Sequence, residues 1–414
     1  MARGGQAVAA ECWAAAIPVQ LRLADSEVSS LEQPPTLYAL VPRQSYLHSL
    51  VPAALRALQH LLPPGEDVPW FEHGRLPLKW NVPAGVLYDL VAAPSGELPW
   101  RLTIHFRGFP SKMLPAYGGE AALRGAFFTS LKEAAVVCRG SAQRVMEMAA
   151  GAQEDLFRQA LDSTLDRYQS ILASLQLAPA AQRGTPPRLP LRLYLRTDAG
   201  GYLSSYEDIV STSRPVAALA PDGSPVSLRQ ALLPLVEEIL RHRSSGGSLA
   251  ASVAAPPSPM AASAAGGVQS LPGTPVARSS SNMAEDGGVM PAAQASTDAE
   301  LPVASEASGG RLGAADGDEA SSSSTAAAAA AEPPPPAAGA SDGAGNAGQP
   351  TEAAAGEAAQ AGEAAALLER AATDKRLLIG GTCPPLDTPL AWLHAQLHAP
   401  DFFLYAVLHL PLPR

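Results

Sequence analysis

Four lysines stand against 25 arginines in this 414-residue chain: Lys79, Lys112, Lys132 and Lys375. Arginine serves wherever positive charge alone suffices, but a guanidinium stays protonated and cannot act as an amine nucleophile. A lysine is needed only if the amine must be a nucleophile, and Lys132 in Ser130-Leu131-Lys132-Glu133-Ala134 is a lysine at a helix position. It must shed its proton to attack an activated carbonyl, and local desolvation helps it do so. Glu133 works slightly against this by favouring the charged form. The plainer reading is a surface lysine whose stem covers Leu131. Lys79, in PLKW, reads as packing beside Trp80, and Lys375 borders a low-complexity tract.

No hydrolase or transferase constellation accompanies the lysines. There is no GxSxG elbow, no phosphate loop and no His/Cys/Asp/Glu cluster at metal-ligand spacing, so no catalytic residue, metal or cofactor is expected. His48, His60 and His73 are scattered. His394 and His398 are four apart and share a helix face, but without a third ligand they read as solvent-facing or capping. Cys12, Cys138 and Cys383 are widely separated and read as free buried thiols in a reducing compartment. Cys138 lies near Lys132 but recurs on the apolar Leu131 face, which marks it as packing.

These residues must be positioned by what surrounds a long compositional break. From Ser244 to Asp374 the chain is built from Ala, Gly, Ser and Pro, with runs at Ser321–Ser324, Ala326–Ala331 and Pro333–Pro336. That tract holds 15 acidic and 3 basic residues, net −12, against −10 for the whole chain, so the remainder is about +2. The acidity belongs to the tract. The body has no Lys/Arg cluster with interleaved aromatics, so nucleic acid is not an expected partner. No run approaches ~20 membrane-grade residues, and Met1–Ala10 lacks a signal-peptide core. The tract reads as disordered, because its composition cannot offset its own ordering entropy.

Before the tract, alternation marks strands at Ile17–Leu23 and Leu37–Val41. A helical period runs from Tyr46 to Leu62, with Pro52 in its first turn. Val68–Phe71 and Leu76–Trp80 are short strands, Pro83–Leu90 a short helix, and Trp100–Phe106 a strand. The period then changes to 3.6, in one helix through Leu123, Phe127, Leu131 and Cys138 and another from Phe157 to Leu175. This bundle is too thin to stand alone and should lean on both neighbours. A third unit starts with Leu191, Leu193 and Leu195 alternating with Arg192, Tyr194 and Arg196. Ile209–Val216 follows, then a helix through Leu228–Ile239 with Ser227 as its N-cap but no completed capping box. Its missing strands are expected beyond the tract, at Leu377–Ile379 and Phe403–Leu410, with a helix at Pro389–Leu397 between them. The fold class is α+β, two rolls flanking a helical middle.

The stretches Trp13–Leu23, Trp70–Trp80 (WFEHGRLPLKW), Leu98–Phe109 (LPWRLTIHFRGF), Phe127–Ala134 (FFTSLKEA) and Leu386–Phe402 (LDTPLAWLHAQLHAPDF) resemble, in this order, segments of the autophagy protein 5 family. WFE, PLKW, LPW and TPLxWL together are far more specific than any one of them. The resemblance implies two ubiquitin-like β-grasp domains, at 11–110 and at 188–243 with 375–412, around a helix-rich domain at 119–178. The insertion 244–374 departs from the family, whose members typically have a short connection there. In the family, one helical lysine, here Lys132, accepts the C-terminal glycine of the ubiquitin-like autophagy protein twelve as an isopeptide. The resemblance further implies that a helix of autophagy protein sixteen lies in an inter-domain groove, with exposed parts of Trp13, Trp70, Trp80 or Trp100 as candidate lining. The assembly would be a ligase-like scaffold promoting lipidation of autophagy protein eight and autophagosome formation. Its thioester chemistry would belong to the separate conjugating enzymes. The implied setting is the cytoplasm, with recruitment to the preautophagosomal membrane by peripheral contact. The competing expectation is a ubiquitin-like interaction module without covalent attachment.

Overall fold

The computed structural model describes residues 2–65, 67–182, 184–197, 203, 205–244 and 352–410. In chain order these form α1 (Ala2–Ala14), β1 (Ala16–Leu23), β2 (Leu37–Pro42), α2 (Val51–Leu58), β3 (Trp70–His73), β4 (Leu76–Pro77), α3 (Ala84–Val91) and β5 (Trp100–His105). The helical middle is α4 (Gly119–Arg139), α5 (Gln143–Met146), α6 (Ala150–Asp162) and α7 (Leu165–Leu175). Then follow β6 (Arg188–Arg196), β7 (Ile209–Ala217), α8 (Leu228–Ser244), α9 (Glu352–Thr373), β8 (Leu377–Ile379), α10 (Leu390–Leu397) and β9 (Leu404–His409).

The first sheet has the order β2-β1-β5-β3-β4, with β1 and β5 parallel and the other pairs antiparallel. The second repeats this order without its last strand, β7-β6-β9-β8, with β6 and β9 parallel. Strands from both sides of the tract therefore complete one sheet. Leu191, Leu193 and Leu195 of β6 and Leu404, Ala406 and Leu408 of β9 point into one core with Leu228, Leu232 and Val236 of α8. Such alternation buries every second side chain on the helix-covered face of a sheet.

The other face of this second sheet, which carries Arg192, Tyr194 and Arg196, is also covered. Val407 of β9 joins the core of the first unit, with Tyr194 packed against it. Arg196 is fully buried and donates to the last carbonyls of α3, at Leu90 and Val91, at 3.2 and 3.3 Å. Its guanidinium thus satisfies orphan acceptors at a helix C-terminus.

Three expectations need correction. The end of the supposedly disordered tract is helix α9, whose Ala364, Leu368 and Ala371 are buried in the second unit's core. An apolar stripe at i, i+4, i+7 in good helix formers was hidden by the alanine-rich composition. The rest of the tract lies outside the described residues. Second, Ala2–Ala14, given no element by periodicity, is helix α1, with Cys12 and Trp13 buried. Third, Ser227 does form a capping box: its N–H donates to Oε1 of Gln230 at 2.8 Å, and the Gln230 N–H donates back to its Oγ at 3.3 Å. Gln230 is the third helical residue, where that motif requires Glu or Gln.

The helical middle leans on both neighbours. The run from Phe157 to Leu175 is broken into α6 and α7 at Ser163, which has φ 53° and donates its Oγ to the Trp13 carbonyl at 2.8 Å. Tyr168 packs on Trp13 with ring centroids 4.7 Å apart and donates its hydroxyl to the Pro400 carbonyl at 2.6 Å. Phe127, Leu131, Phe157 and Leu172 share a core with Phe402, Phe403 and Tyr405 from beyond the tract.

Candidate functional site

Helix α4 carries Lys132 near its middle and is stopped by Gly140 at φ 74°, whose N–H donates to the Val136 carbonyl at 2.8 Å. A left-handed residue ends a helix at least cost when it is glycine. Leu123, Phe127, Leu131, Ala134, Ala135 and Cys138 form the buried stripe. Lys132 stands beside that stripe, half-buried, and among the described residues it has no ion-pair partner. Val136, one turn further on, is 50% exposed.

The other lysines sit differently. The ammonium of Lys79 lies 4.6 Å from the centroid of the Tyr206 ring, and burial lowers its pKa. Lys112 and Lys375 are exposed outside regular elements.

Glu133 does not serve Lys132. Its Oε2 accepts from Arg192 of β6 at 2.8 Å. The same guanidinium donates to Ser130 Oγ at 3.1 Å, Tyr405 hydroxyl at 2.9 Å and Asp401 Oδ2 at 3.3 Å, and lies 3.7 Å from the Phe403 ring centroid. The Tyr405 hydroxyl in turn donates to Asp401 Oδ2 at 2.6 Å. Burial works against the charge on Arg192, but Tyr405 and Asp401 more than offset it and raise its pKa. Sequence inspection missed this cluster because Arg192 sits at an alternating polar position, and its partners lie 59 to 213 residues away.

The thiols divide. Cys12 and Cys138 are buried, whereas Cys383 is exposed, against the expectation of three buried thiols. Burial pushes the Cys138 thiol up to about 12, the opposite of what a nucleophile needs. His394 is buried rather than solvent-facing: its Nε2 is 3.0 Å from the Phe402 carbonyl, and burial drives its pKa down to about 3. His398 holds the C-cap position of α10. Among the described residues no three His, Cys, Asp or Glu side chains are grouped to hold a metal ion. Nor is any described helix long and apolar enough to cross a membrane.

Of the tryptophans expected near a groove, Trp13 and Trp100 are core residues. Trp70 is half-buried and stacked on His105, with centroids 3.8 Å apart, and half-buried Trp80 donates to the Pro115 carbonyl at 2.9 Å. A more open apolar cleft of about 560 Å³ lies elsewhere, between α7, the β6–β7 pair and α10. Leu172, Ala173, Leu189, Leu219, Ala391 and Ala395 contribute to its walls, with His398 and Phe402 also lining it.

Comparison with known proteins places these features. Residues 12–106 match the family model described as "Autophagy protein ATG5, UblA domain", and residues 120–178 match "Autophagy protein ATG5, alpha-helical bundle region". The chain is 35% identical over 264 residues to autophagy protein 5 of Oryza sativa subsp. indica, covering 56% of this chain and 69% of that protein. It is likewise 35% identical over 263 residues to autophagy protein 5 of Arabidopsis thaliana, covering 56% and 78%. The crystal structure of Kluyveromyces marxianus Atg5 has the same fold, with TM-score 0.51 and 15% identity over 97% of this chain and 99% of that one. On these grounds the chain belongs to the autophagy protein 5 family.

Proposed function

We propose that this chain is a conjugation-dependent scaffold of autophagy, with Lys132 as the covalent acceptor for a ubiquitin-like protein, autophagy protein twelve. The observation that carries this reading is the setting of Lys132: near the middle of helix α4 in the family's helical bundle region, half-buried, with its neighbouring carboxylate engaged elsewhere. Half-exposed Val136 one turn away gives the attached protein an apolar foothold. In the reaction the lysine amine attacks the thioester of a conjugating enzyme. An isopeptide bond forms, the enzyme's thiolate leaves, and the amine's proton passes to solvent. No residue of this chain need be catalytic.

The order β2-β1-β5-β3-β4, repeated in the second sheet without its last strand, supports reading the two sheets as ubiquitin-like units beside the helical bundle. The cleft between α7 and α10 suits an amphipathic helix of autophagy protein sixteen, which would lay apolar side chains at i, i+3, i+4 and i+7 into it. The assembled complex then promotes lipidation of autophagy protein eight, supplying geometry and peripheral membrane recruitment from the cytoplasm. Intact-mass measurement of the chain recovered from cells tests the acceptor. A gain of one ubiquitin-like protein, lost in Lys132→Arg, supports it. An unchanged mass during active autophagy would leave a non-covalent interaction module instead.

A further inference from the structure

Arg192 joins the acceptor helix to chain from beyond the tract through a single guanidinium. Ser130 and Glu133 of α4 accept from it at 3.1 and 2.8 Å, and Tyr405 and Asp401 at 2.9 and 3.3 Å. Ser130 and Glu133 are three apart and share one helix face. Lys132 lies between them in sequence, about 100° around the helix from Glu133. The apolar stripe of Leu131, Ala134 and Ala135 holds α4 against its core, but hydrophobic attraction is non-directional and leaves rotation and sliding soft. A planar fork with fixed donors removes that freedom. Asp401 is 3% exposed and the Arg192 side chain 19%, so the pair is shielded from solvent. Shielded pairs of this kind add little net stability over apolar replacements.

We propose that Arg192 is a positioning residue for conjugation: it locks the α4 turn bearing Lys132 to β6 and to the Asp401–Tyr405 segment. This rests on the reading of Lys132 as acceptor. Transfer demands that the amine meet the thioester carbonyl at about 3–3.5 Å while the conjugating enzyme is braced on the surrounding surface, and a displacement of ~1 Å can cost about a hundredfold in rate.

The test is reconstituted conjugation of the full chain with the ubiquitin-like donor and its activating and conjugating enzymes, read as kcat and KM for the chain. Arg192→Met should lower kcat about tenfold and leave KM within about twofold. Ser130→Ala with Glu133→Ala, which strips the α4 side of the clamp alone, should give a similar loss. Adding Arg192→Met to that pair should cost nothing more. Arg192→Lys should recover part of the rate. Leu368→Ala, a core change away from the clamp, should leave kcat unchanged. A kcat for folded Arg192→Met within about twofold of the parent, or losses that simply add, overturns the proposal. If Arg192→Met does not fold, the Ser130/Glu133 variant decides alone. Persistence of the adduct in Lys132→Arg sinks the acceptor reading itself. Its disappearance there, with normal kcat in the Arg192 variants, sinks only the clamp.

Discussion

Leu193 of β6 stands opposite Ala406 of β9 in parallel register, although the low-complexity tract lies between them in the chain. A parallel pair needs a crossover, and here β7, α8, the tract, α9, β8 and α10 all belong to it. The cost of so long a connection is small because loop-closure entropy grows only with the logarithm of length.

The tract and the helix that ends it should therefore separate on mutation. Replacing residues 250–345 with a Gly/Ser linker of about 20 residues should leave the unfolding midpoint nearly unchanged. Leu368→Ala should destabilise the protein by about 2–5 kcal/mol, because that side chain is 1% exposed in the core. Denaturant melts of the two variants check this, and a larger loss from the linker variant would show that the tract contributes to folding.

The cleft makes a binding prediction that spares the fold. Ala395 is exposed on α10 and lines the cleft. Ala395→Glu should change stability by no more than about 0.5 kcal/mol. It should weaken binding of an autophagy protein sixteen helix peptide at least about tenfold, because a carboxylate would be buried without a partner. Unaltered affinity by titration calorimetry would place that helix elsewhere.

His394 should make the protein acid-sensitive. The folded state holds it neutral, with burial, aided by the charge of His398, depressing its pKa to about 3 from 6.5. Below 6.5 the unfolded chain takes up a proton that the folded chain refuses, so stability falls as pH drops towards 3, by at most about 1.4 kcal/mol per pH unit for this group. His394→Gln keeps a donor for the Phe402 carbonyl and removes the titration. Its stability between pH 6.5 and 4 should fall less steeply, by about one proton's worth. An identical slope would show that His394 is not protonated on unfolding in this range.

Thiol chemistry should report the burial pattern directly. In the native chain a maleimide should modify one cysteine, Cys383, and all three only in denaturant, since Cys12 and Cys138 are buried. With its thiol held up at about 12, Cys138 should carry no thioester during conjugation, and Cys138→Ser should leave adduct yield intact. A reducible adduct lost in that variant would mean a covalent cysteine intermediate.

Local pattern alone determined much of this protein. Alternation at Ile17–Leu23 and Leu191–Leu195, helical spacing through Leu123–Cys138 and proline punctuation at Pro52 mark elements that the structure contains, because each is fixed by which side chains must leave water. The scarcity of lysine left four candidates, and the family resemblance pointed to Lys132 among them. Only the tertiary structure decided what the polar positions do. Arg192 and Arg196 occupy the same face of one alternating strand, yet one grips α4 and the other caps α3. Their partners come from distant segments, and sequence spacing carries no record of which segments meet. The same holds for α9, whose three buried positions become meaningful only when α8 lies alongside to cover them. Burial creates the demand for partners, and folding chooses them.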